Sequence, residues 1–112
     1  MQNDTSAIAV TTDEFEAKVL AASGPVLVDL WAAWCGPCRA VAPVVEQLAT
    51  EYEGRATIAK VDVDEQPEIA RRYGVRSIPT LLFFKDGQLV DTVVGAVPRA
   101  PLADRLDALL AP

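Results

Sequence analysis

Residues 26–38 read VLVDLWAAWCGPC, and the fold follows from how that run divides. Its first part, Val26–Trp31, is apolar on both alternating faces except at Asp29. A half-covered strand would alternate apolar with polar residues, so this one is expected at the centre of a sheet with helices on both sides. The run ends in Cys35-Gly36-Pro37-Cys38, which opens a helix predicted to reach about Tyr52. Val41, Val44, Val45 and Leu48 recur there at helical spacing. Pro43 lies inside that helix and predicts a kink. The two cysteines thus fall at the C-terminal end of a central strand, where open α/β sheets place their sites.

Upstream, residues 1–6 are polar and expected to fray, and AIAV (7–10) is a short strand candidate. Thr11 and Glu14 have the spacing of a capping box opening an amphipathic helix through Phe15, Val19 and Leu20, which Gly24-Pro25 ends. Downstream, ATIAKVDV (56–63) is a strand rich in β-branched residues. PEIARRYG (67–74) is a short helix with Pro near its start and Gly at its end. TLLFF and QLVDTVV flank Asp86-Gly87, a strong hairpin signal, and a last helix runs from about Pro101 to Leu110. The order β-α-β-α-β-α-β-β-α makes an α/β chain. Its helix-linked strands run parallel and its hairpin adds an antiparallel pair.

The length of 112 residues fits a single domain, 1–112, and 51% hydrophobic residues allow a core without metal or disulfide support. Ten Lys+Arg against 16 Asp+Glu give a net charge of −6, which disfavours nucleic acid and anionic membranes as partners. The opening MQNDTSAIAV reads as no secretory leader, and the apolar stretch before the cysteines is too short to span a bilayer. A cytoplasmic address is the expectation, and a resting structural disulfide would be unusual there.

Cys35 and Cys38 are the only cysteines and the chain has no His. Haem attachment through Cys-x-x-Cys-His is excluded because position 39 is Arg. A zinc site needs four ligands, so only one bridging two chains survives. A structural staple closing so short a ring contributes about 2 kcal/mol before strain. The redox reading has a specific physical basis. A thiol at a helix start is favoured as thiolate by unpaired N–H groups and the dipole, and a partner three residues on lies on the same face. On this reading Cys35 is exposed and attacks, while Cys38 is shielded and resolves the mixed disulfide. With no cation between the cysteines and Arg39 directed to solvent, the bias is toward a reductant.

Other residues admit two readings. Asp29 is either a satisfied strand-end carboxylate or, given its apolar flanks, a buried one with a raised pKa able to take the Cys38 proton. Lys60 is a snorkelling strand lysine unless it lies near that carboxylate. Pro79 would be trans by frequency, since only about 5% of X-Pro bonds are cis. Trp31 reads as packing. Trp34, just before the first cysteine, reads as binding surface, and Gly95 as either a strand-end turn or part of the site.

WCGPC after VLVDLWA, then KVDVDEQP, YGVRSIPTLLFFKDG and VVGA in that order, resemble the thioredoxin family over roughly Ile8 to Leu110. The resemblance implies the thioredoxin fold, a central five-stranded mixed sheet flanked by four helices. It implies disulfide exchange through Cys35 and Cys38, no cofactor and no metal, and recycling by an NADPH-dependent thioredoxin reductase. Disulfide-containing proteins are the implied substrates and a monomer the implied state. Carried over residue by residue, Asp29 is a proton acceptor modulated by Lys60, and Pro79 is cis. Trp34, Gly36, Pro37, Ser77, Ile78, Pro79, Gly95 and Ala96 then form the substrate surface.

The chain departs from the family pattern at Leu30, where Phe is common, and at Ser77, where Gly is frequent. Pro98 stands where a capping Ser is expected, which weakens that N-cap. Two rivals to the reductase remain: a binding subunit using the apolar rim without its thiols, and a dimeric metal or cluster carrier.

Overall fold

The computed structural model describes residues 7–112; the stretch expected to fray, 1–6, lies outside them. Five strands, β1 (Ile8–Ala9), β2 (Val26–Trp31), β3 (Thr57–Asp62), β4 (Thr80–Lys85) and β5 (Gln88–Val94), form one sheet in the order β1-β3-β2-β4-β5. β1 and β2 pair parallel with β3, while β4 pairs antiparallel with both β2 and β5. The sheet is mixed with β2 at its centre, as the doubly apolar run Val26–Leu30 requires, and all five of those residues are buried.

Residues alternate across the sheet, so each face collects its own core. On one face Leu27, Ile58, Leu81 and Phe83 pack under helices α1 (Gly36–Glu51) and α3 (Arg99–Leu110), which contribute Val41, Val45, Leu48, Leu102 and Leu106. On the other, Val28, Leu30, Val61, Leu82 and Phe84 meet Phe15, Val19 and Ile69, the last from helix α2 (Pro67–Arg72). Asp29 shares its side of β2 with Leu27 and therefore lies under α1.

The capping box forms reciprocally: the Thr11 N–H donates to Glu14 Oε1 (3.1 Å) and the Glu14 N–H to Thr11 Oγ1 (3.3 Å). The helix beyond it is not the expected α-helix. The segment Glu16–Leu20 is π-helical, and the Ala21 N–H bonds to the Glu16 carbonyl five residues back. In so short a segment the packing of Phe15 and Val19 outweighs helical propensity and sets the pitch. Pro43 sits within α1, which continues to Glu51.

Two connections aim the chain at the site. After α2, Gly74 takes φ +66°, the Val75 N–H returns to the Ala70 carbonyl and the Gly74 N–H to Arg71. This is a Schellman stop, and the connection Val75–Pro79 that follows bends at Ser77–Pro79 before β4. Asp86 and Gly87 both have positive φ, as a type I′ hairpin needs, and a Cβ on Gly87 would sit 3.2 Å from the Leu20 carbonyl. The last helix begins at Arg99, two residues before the predicted start, and its N-cap residue Pro98 makes no side-chain cap.

Candidate active site

The turn after β2 delivers Cys35 to the N-cap position of α1, with Gly36 and Pro37 in the first turn. Extended backbone at Cys35 (φ −86°, ψ 111°) lets its sulfur accept the Cys38 N–H at 3.2 Å. An N-cap Ser would place its oxygen in the same way. Cys35 and Cys38 form a disulfide with Cα atoms 5.2 Å apart. Opening it leaves two thiols, one at the positive end of a 16-residue helix.

Burial corrects one expectation. The sequence predicts Cys35 exposed and Cys38 shielded, yet each is only 3% exposed. The reason is packing by distant segments: Ile78 before β4, Val63 after β3 and Trp31 at the end of β2 close over the pair together with Ala32. What separates the two sulfurs is their surroundings. Cys35 Sγ lies 3.8 Å from the Ile78 carbonyl oxygen. Cys38 instead lines a cavity of about 90 Å³ with Asp29, Trp31, Ala32, Arg39, Ala42 and Lys60.

Asp29 is 1% exposed, and its Oδ1 has no hydrogen-bond partner among the described residues. Burial pushes its carboxyl up to about 7; Lys60 pulls it down and Glu46 pushes it up again. Lys60 stands opposite Asp29 in the β2–β3 register. Its ammonium lies 5.1 Å above the Trp31 ring and 3.6 Å from Glu46 Oε2. The Lys60 ammonium thus faces an aromatic ring and the Glu46 carboxylate from the strand position opposite Asp29. Trp31 is half-buried, as a packing residue should be.

Trp34 is 67% exposed, and its indole N–H donates to Asp64 Oδ2 at 2.8 Å. With Val63, Ala70, Val75, Arg76, Ser77 and Ile78 it lines an open groove of about 300 Å³. The Ile78–Pro79 bond is cis, as the resemblance implies. Pro79 is buried, and its carbonyl accepts the Gly95 N–H at 2.8 Å, joining the end of β5 to this loop. Gly36, Pro37 and Ala96 are exposed beside the site but do not line the groove. Arg39 is exposed, yet its guanidinium folds back to donate to the Ala33 carbonyl (2.9 Å) rather than reaching away.

Three participants carry little or no signal in the sequence. Asp64 reaches Trp34 across 30 residues with no local signature. Arg76 joins the groove from the connection between α2 and β4. Glu46 has a faint signature, since Cys38, Ala42 and Glu46 form an i, i+4, i+8 row on α1.

The family profile described as Thioredoxin matches residues 6–108. The chain is 59% identical over 101 residues to Thioredoxin 1 of Synechococcus elongatus, covering 90% of this chain and 94% of that one. It is 54% identical over 103 residues to Thioredoxin 1 of Nostoc sp., covering 92% and 96%. Thioredoxin of Staphylococcus aureus is 57% identical over 100 residues, covering 89% and 94%.

Proposed function

The chain belongs to the thioredoxin family and is a thiol-disulfide oxidoreductase, and we propose that it works as a general protein-disulfide reductase recycled by an NADPH-dependent thioredoxin reductase. The observation that carries this reading is the Cys35–Cys38 disulfide at the start of α1, beside an open groove bounded by Trp34 and Ile78.

In the reduced protein the helix start favours Cys35 as thiolate. Cys35 Sγ attacks a substrate disulfide; one sulfur–sulfur bond forms as the substrate's own bond breaks, and the first substrate thiolate leaves. Cys38 then gives its proton to Asp29 and attacks Cys35 Sγ. The second substrate thiolate departs and the Cys35–Cys38 bond closes. The substrate gains two electrons and this protein loses two. The groove at Ser77 and Ile78, with the apolar floor of Val63, Ala70 and Val75, suits an extended substrate segment. Lys60 modulates Asp29, while Gly36, Pro37, Gly95 and Ala96 border the docking surface.

Among the described residues no helix is long and apolar enough to cross a membrane. A cytoplasmic address remains part of this proposal, and so does service as an electron carrier. The test is turnover of a protein disulfide with NADPH and a thioredoxin reductase. Steady NADPH consumption that requires both cysteines is the expected result. No turnover, with the partner still bound, would favour a binding subunit instead.

A further inference from the structure

Behind the disulfide, away from the substrate groove, two concavities share a wall. The inner one is the cavity of about 90 Å³ that joins Asp29 to Cys38. The outer one is an open groove of about 450 Å³ between the β1 edge, β3 and α1, lined by Glu46, Asp62, Glu65 and Gln66 among others. Trp31 and Lys60 line both. Asp29 reaches only the inner side and Glu46 only the outer. The Lys60 ammonium therefore stands between two carboxylates that do not share a chamber.

The geometry shows which carboxylate holds it. Lys60 Nζ is 3.6 Å from Glu46 Oε2, whereas Asp29 Oδ1 has no partner among the described residues. Glu46 is itself held: it is half-buried on α1, and its Oε1 accepts the Ala7 N–H at 3.4 Å. From β3, Lys60 is the cation facing Asp29, and from β4 its register partner is the apolar Leu81. From α1 come Cys38, Glu46 and Arg39, whose Nη1 is engaged with the Ala33 carbonyl. Asp62 and Glu65 add negative charge to the outer groove alone.

We propose that Glu46 is a positioning residue for the redox reaction: it holds the Lys60 ammonium on the outer-groove side of the Trp31 wall, so that the Asp29 carboxyl meets Cys38 without a bound countercharge. A carboxylate paired with an ammonium is a poor proton acceptor, because the pair favours its ionised form. By competing for Lys60, Glu46 keeps Asp29 in the range where it exchanges a proton with a thiol. This inference rests on the proposed role of Asp29 in resolving the mixed disulfide.

The test titrates the Asp29 carboxyl carbon by NMR in the wild-type chain and in the Glu46→Gln, Lys60→Met and Glu46→Gln/Lys60→Met variants. Single-turnover resolution is followed across the same pH range. Glu46→Gln frees Lys60 to pair with Asp29, and the midpoint should fall by roughly one pH unit, with the rate profile following it. Lys60→Met should raise the midpoint. In that background the Glu46 substitution should shift it much less, which a double-mutant cycle reads directly. An unchanged midpoint in Glu46→Gln overturns the proposal. So does an equal fall in both backgrounds, since Glu46 would then act as a bare charge and not through Lys60. Asp29→Asn separates the underlying reading. If Asp29→Asn resolves as fast as wild type while Glu46→Gln still moves the carboxyl titration, the placement of Lys60 stands and the proton-acceptor role of Asp29 fails.

Discussion

Asp29 and Lys60 are direct register partners on β2 and β3, yet the lysine's ammonium lies 3.6 Å from Glu46 and Asp29 Oδ1 is left unpaired among the described residues. A buried carboxyl in that position is an energetic liability as an anion and an asset as a proton acceptor.

Asp29→Asn should therefore stabilise the protein in a pH-dependent way. The native carboxyl titrates near 7 against an ordinary value of 3.8, so between those values the folded state holds a proton that the unfolded state has lost. Stability falls as pH rises through that window and levels off above it. The Asn variant lacks this loss. Urea unfolding should show it more stable at pH 8, by on the order of a few kcal/mol, with little difference at pH 4. Equal gains at both pH values would show that charge burial is not the cause.

The same substitution should slow the second exchange step at neutral pH by roughly 100-fold, the lower end of general-base contributions. Single-turnover kinetics read by Trp34 and Trp31 fluorescence measure it, on the chemistry proposed above. Resolution equally fast across pH 6 to 8 would leave Asp29 a structural residue.

Cys35→Ser should abolish reductase turnover, whereas Cys38→Ser should accumulate mixed disulfides through Cys35. Their equal burial means that this order rests on position: Cys35 at the helix start by the Ile78 carbonyl, Cys38 beside Asp29. Non-reducing gels of each variant with a disulfide substrate decide it. Trapping by Cys35→Ser would reverse the assignment.

Pro37→His should make the protein more oxidising. Pro37 is exposed in the first turn of α1, where an imidazolium would stabilise the reduced thiolate form. Equilibration against glutathione at a series of ratios gives the potential. An unchanged or lower value would show that the helix start already sets it.

Tyr52→Phe tests the packing of α1 on α3, far from the thiols in the fold. The buried phenol donates to Asp107 Oδ1 at 2.6 Å, and burial with that carboxylate pushes its pKa up to about 12. Losing the bond should cost about 1 kcal/mol at neutral pH without altering turnover. A larger loss, or a redox effect, would mean that α3 is coupled to the site.

Elements whose cause is local are legible in the sequence. The doubly apolar Val26–Leu30 run specifies a central strand, because a strand with water on one side does not bury both faces. Thr11 and Glu14 write a cap and Asp86-Gly87 a hairpin turn, each through hydrogen bonds or φ angles within a few residues. The same locality places Cys35 at a helix start and marks Asp29 as a carboxylate without a polar neighbour. The π-helical pitch of Glu16–Leu20 is not legible, since core packing sets it.

What only the tertiary structure decided are relations between distant segments. Equal burial of the two cysteines depends on Ile78 and Val63, contributed by loops far along the chain. Asp64 finds Trp34, and Glu46 finds Lys60, because the crossover connections bring their strands and helices together. Sequence spacing sets which side of a strand or helix a residue occupies. The choice of carboxylate for a single ammonium depends on distance and burial in space, and here the fold places it with Glu46.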